Sequence, residues 1–91
     1  MAVFAVIAAT NADKLQAAVI AQYGANHFQF SPSAWFVPDN GTTQDVATKL
    51  GLTGGAVGAL GVVTKIGAYS GWASAAAWTF LGNHPEAIAN G

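Results

Sequence analysis

One pattern occurs twice in this chain: an extended apolar segment, then Thr-x-x-Asp, then a short helical stripe. The first copy is "AVFAVIAATNADKLQAAVIAQY" and the second is "AWFVPDNGTTQDVATKL", with Thr10 and Thr42 lying 32 residues apart. "AVFAVIAA" at 2–9 is a continuous apolar run, the pattern of a strand buried on both faces. A hydroxyl three residues before an acid is the spacing of a capping box, in which two side chains satisfy each other's backbone amides at a helix start. Leu15, Ala18, Val19 and Tyr23 then share one helical stripe, and Gly24 ends it. In the second copy Val46, Ala47 and Leu50 form the apolar face and Gly51 is the stop.

Between the two helices, "NHFQFSPSAWFVPDN" alternates Phe28 and Phe30 with polar residues, turns at Ser31-Pro32-Ser33, and extends again through "AWFV". Two short strands, about 27–31 and 34–38, are expected there. A glycine-rich connector leads into a further strand at about 58–69, which Ser70-Gly71 breaks; the Ala-rich stretch 72–82 reads as a third helix. The order strand, helix, strand, strand, helix, strand predicts an α+β fold. It would be a ferredoxin-like βαββαβ antiparallel sheet with an additional C-terminal helix. Residues 1–82 form the single domain of this reading and 83–91 a loose tail.

The chain has 91 residues and no cysteine, so neither disulfides nor a thiolate metal site supply stability. Charged residues make up 8% of it, against about 25% in an average soluble domain. They are Asp13, Lys14, Asp39, Asp45, Lys49, Lys65 and Glu86, for a net charge of −1 with no arginine. Nucleic-acid binders neutralise phosphates with a basic patch, and three scattered lysines do not make one. Low charge and low net charge favour association instead. No basic segment precedes the apolar N-terminal run, so it reads as a strand rather than a secretory signal, and the expected setting is the cytoplasm.

Catalytic and cofactor motifs fail one by one. His27 and His84 have no second ligand at helical or CxxC-type spacing, so no metal is expected. Asp13 and Asp45 are accounted for as helix N-terminal acids, Asp39 sits in a turn and Glu86 in the tail, which leaves no carboxylate pair for acid–base work. Ser31 and Ser33 beside His27 belong to a proline turn. Gly51, Gly54, Gly55, Gly58 and Gly61 lead into a strand without the Gly-Lys-Ser/Thr that opens a phosphate-loop helix. No cofactor is expected. The remaining ligand candidates are Thr10 and Asn11, and Asn40, Gly41 and Thr42, where each strand hands over to a helix whose N-terminal amides can meet a small anion.

"KIGAYSGWASAAAWTF" carries the largest uncovered apolar load. From Ile66 to Leu81 it has 16 uncharged residues interrupted by Ser70-Gly71, short of the roughly 20 that a membrane span needs. As a soluble element it offers Tyr69, Trp72, Trp78 and Phe80, aromatics that bury about 150–250 Å² each when covered. These four are the expected interface residues of a homo-oligomer, a dimer being favoured.

The chain resembles small bacterial proteins of the Cas2-like, ferredoxin-fold group, including the short SinR-family proteins. The resemblance rests on "VFAVIAAT", "SAWFV", "TTQDVATKLG" and "GVVTKIGAYSGW", and spans about residues 2–72. It implies a homodimer formed through sheet edges or faces, and in some members a metal-dependent nuclease or DNA-bridging subunit with an aspartate at the end of the first strand. This chain has Ala9, Thr10 and Asn11 there. The expected function is therefore a non-catalytic homo-oligomeric interaction or small-ligand-binding module, with a degenerate Cas2-like nuclease or nucleic-acid-associated protein, or a small membrane-associated protein, as alternatives.

Overall fold

The computed structural model describes residues 1–71, 75–84 and 88–89. Over 2–65 the elements are β1 (Ala2–Ala8), α1 (Ala12–Tyr23), β2 (Phe28–Ser31), β3 (Ala34–Asp39), α2 (Thr43–Lys49) and β4 (Gly61–Lys65). They are followed by β5 (Ala68–Tyr69), α3 (Ala75–Gly82) and β6 (Ile88–Ala89). The fold is α+β: a four-stranded sheet of order β2-β3-β1-β4 with every neighbouring pair antiparallel, and three helices among the described residues. Each of α1 and α2 joins two strands that have one other strand between them.

β1 is central because it is apolar at almost every position, the composition of a strand with neighbours on both edges and cover on both faces. Phe4 and Val6 point to the helices, where Trp35 and Val37 of β3 meet Leu15 and Val19 of α1 and Val46 and Leu50 of α2. All eight are fully or almost fully buried, and each such side chain contributes on the order of 1.5–3 kcal/mol. The Trp35 indole Nε1 is buried there without a hydrogen-bond partner, which offsets about 1–3 kcal/mol of that gain.

The strand expected at 58–69 is shorter and divided. Gly61 sits so close to β1 that a Cβ there would fall 2.8 Å from the Ile7 carbonyl oxygen, so only glycine lets the strand begin at this point. Pairing with β1 ends where the Ile66 N–H donates to the Val3 carbonyl at 2.9 Å, and β5 follows as a separate two-residue strand. Within the segment expected as a tail, Ile88–Ala89 pairs in parallel with Ala68–Tyr69.

Candidate functional site

The two strand-to-helix junctions share a sequence signal but not a structure. At α2 the capping box forms: the Asp45 N–H donates to Thr42 Oγ1 at 3.1 Å and the Thr42 N–H to Asp45 Oδ2 at 2.8 Å. Gly41 makes room for it, since a Cβ would lie 2.6 Å from Asp45 Oδ2. At α1 the expected Thr10–Asp13 box is absent. The N-cap is Asn11, in left-handed backbone at φ 49°, and no side chain caps the helix. Thr10 Oγ1 instead accepts the Leu60 N–H at 3.0 Å, and Asn11 Nδ2 donates to the Gly58 carbonyl at 2.8 Å. A long-range partner captured the hydroxyl that local spacing had assigned to the helix.

The five ligand candidates therefore do not form one site. Thr10 and Asn11 follow the last residue of β1, whereas Asn40, Gly41 and Thr42 follow Asp39, which pairs with Ala2 at the opposite end of that strand. At about 3.3 Å per residue the two groups stand roughly 20 Å apart. Thr10 and Asn11 tie down the distant glycine-rich connector, and Thr42 caps its own helix.

Asp39 carries more than a turn. It is 6% exposed, and its carboxylate gathers three donors from three parts of the chain. Tyr23 at the end of α1 donates its hydroxyl to Oδ2 at 2.8 Å, Lys49 at the end of α2 donates to the same oxygen at 2.7 Å, and the Gly41 N–H reaches Oδ1 at 2.7 Å. Burial alone would push this carboxyl up, but the bonds from Lys49, Gly41 and Tyr23 outweigh it and hold the carboxyl below its usual range. Burial, reinforced by the bond to Asp39 and its charge, pushes the Tyr23 phenol well above its ordinary value. A carboxylate held by three donors and a phenol held neutral form a clasp between the ends of the two helices. Shallow clefts of about 290 and 590 Å³ flank it, sharing Asp39, Asn40 and Lys49 as walls.

The face of the sheet turned away from α1 and α2 is different in kind. β1 presents Val3, Ala5 and Ile7 there, and their exposure runs 0, 9 and 46% along the strand. On this face α3 packs over β2 and β3: its Phe80 lies on Phe28 and Phe36 at centroid separations of 5.9 and 6.4 Å, with Ala77 and Leu81 buried. Phe80, expected to meet a second chain, thus lies against its own sheet. Trp78 is half-buried in the same helix, Tyr69 belongs to β5, and Trp72 lies outside the described residues.

Beyond α3 the second half is bare. Ile7 pairs with Val62 on one side and Ala34 on the other, and Phe30 stacks on Phe36 at 5.0 Å, so the row crosses all four strands. Ile7, Phe30 and Val62 are 46, 49 and 61% exposed, and Leu60 just before β4 is 67% exposed. Among the described residues no charged side chain lies in this row. Hydropathy alone could have flagged Leu60 and Val62. That Ile7 and Phe30 join them required knowing the strand order.

No protein-family model, curated protein or solved structure matches the chain. Among the described residues no group of three or more His, Cys, Asp or Glu side chains could hold a metal ion, and no helix is long and apolar enough to cross a membrane.

Proposed function

We propose that this chain is a non-catalytic, homo-oligomeric interaction module built on a ferredoxin-like β-α-β-β-α-β scaffold. The element order over 2–65 and the antiparallel sheet order β2-β3-β1-β4 support that scaffold. The observation that carries the function is the bare row of Ile7, Phe30, Val62 and Leu60, on the face opposite the one that α1 and α2 close. The largest contiguous apolar patch on a small protein is often its functional surface. A charge-free patch meets its own copy without electrostatic cost, so a second copy is its natural occupant.

Binding of a small polar ligand in the clefts beside Asn40, Gly41 and Lys49 is the weaker reading, because the charged groups there already satisfy one another. The Cas2-like resemblance adds a dimeric scaffold but not its chemistry: where a metal-binding aspartate would stand, Thr10 and Asn11 are engaged with Leu60 and Gly58.

The test is molar mass in detergent-free buffer over about a hundredfold range of concentration, since assembly follows mass action. The wild type is expected to rise from one chain to two. A wild type that remains monomeric at the highest concentration overturns the proposal.

A further inference from the structure

The bare row alone is small. With roughly half of each of four apolar side chains uncovered it offers on the order of 400 Å², against about 800 Å² per partner in a standard stable interface. A second feature lies directly beside it. β2 and β4 are the outer strands of the sheet, and their free edges are built in opposite ways. β2 has four residues, a register irregularity between Gln29 and Ser31, and Pro32 immediately after it. Bulges, shortness and proline are the devices that keep a sheet edge from pairing with another chain. β4 has neither bulge nor proline: it runs Gly61–Lys65 as "GVVTK", in regular register with β1, with Lys65 at its end as its one charged residue.

The backbone groups on that edge can be assigned. The Ala9 N–H donates to Leu60 and the Ile66 N–H to Val3, so even-numbered residues of this segment bond to β1. Gly61, Val63 and Lys65 therefore turn their N–H and C=O groups away from the sheet. Among the described residues no partner meets them.

We infer that a second copy docks by pairing its β4 antiparallel with this β4, centred on Val63, to form one continuous eight-stranded sheet. This rests on the reading that the chain self-associates, and it names how. A two-fold axis at Val63 sets Gly61 opposite Lys65 and Val63 opposite Val63, so each outward-facing residue meets another and both bonds of each pair can form. It also sets Val62 opposite Thr64 on the bare face, a β-branched cross-strand pair, and joins the two apolar rows across the seam. The strand's single charge does not oppose this. The two Lys65 residues fall four positions apart, about 13 Å at 3.3 Å per residue. That exceeds the screening length of about 8 Å at physiological salt.

Amide hydrogen exchange on the full chain, at concentrations below and above the dimer midpoint, tests the geometry. Val63 and Lys65 amides are expected to exchange fast in the dilute sample and at least about tenfold more slowly in the concentrated one. Lys65→Pro removes an outward N–H while leaving the ladder to β1 intact, so it is expected to fold as the wild type and to weaken dimerisation by about tenfold or more. If the wild type dimerises but these amides stay unprotected, the docking mode is overturned and self-association stands. Equal dimerisation of Lys65→Pro and wild type overturns it in the same way. If no dimer forms at any concentration, the reading beneath it fails as well.

Discussion

The two faces of this sheet are made from the same strands yet finished differently. On one face Phe4, Val6, Trp35 and Val37 alternate inward and are sealed by two helices, whose ends Asp39 clasps together through Tyr23 and Lys49. On the other, α3 packs through Phe80 on Phe28 and Phe36, and Ile7 is left half exposed. The closed face holds most of what makes the chain fold. Side chains on the bare half are expected to tolerate substitution with little effect on folding, as the proposed interaction surface requires.

The largest effect that should separate the faces comes from deleting one aromatic on each. Phe4→Ala removes a fully buried ring from the closed face and is expected to cost about 3–5 kcal/mol. Phe80→Ala acts on a partly covered ring held by Phe28 and Phe36, and is expected to cost about half as much. Denaturant unfolding of both variants measures this. Equal losses would mean that α3 is as integral to the core as α1 and α2, and the contrast between the faces would not hold.

The next effect is specific to the closed face and depends on pH. The folded state holds the Asp39 carboxyl below its usual range, so its charged form stabilises the fold. That contribution is fully present above the unfolded carboxylate value of about 3.9 and is lost as pH falls through the folded value. Asp39→Asn is expected to lower stability near pH 7 by about 1.5–3 kcal/mol, the range for hydrogen bonds to a charged group. It should also remove part of the acid-limb slope, so the wild-type and variant curves converge below pH 4. Curves that stay parallel down to low pH would show that Asp39 is not the group being titrated.

Local signals were legible wherever the deciding contact was local. "FQFSPSAWFV" encodes its own hairpin, and the strands fall at Phe28–Ser31 and Ala34–Asp39, within a residue of expectation. Thr42 and Asp45 are three apart and nothing else competes for them. Thr10 and Asp13 have the same spacing, but a segment fifty residues away supplies the Leu60 amide, and the box is lost. Asp39 was opaque for the same reason: its partners lie 16 residues before it and 10 after. Composition did show a chain poor in charge, which favours association. It could not say that Phe80 would fold back onto one face of the sheet.

The smallest predicted effect bears most directly on function. Val62→Thr is nearly isosteric and keeps a β-branched side chain at a position 61% exposed, so monomer stability is expected to change by no more than about 0.5 kcal/mol. At the proposed seam the same hydroxyl would stand opposite Thr64 of the second copy, in place of a methyl group that packs there. Losing that apolar cross-strand contact should weaken dimerisation by no more than a few-fold while the monomer unfolds as before. The two readouts separate the faces without a large perturbation: a substitution that is silent in folding and visible in assembly belongs to a surface, whereas one that moves both belongs to the core. If Val62→Thr destabilises the monomer as much as it weakens the dimer, the bare half of the sheet is doing the same structural work as the closed one.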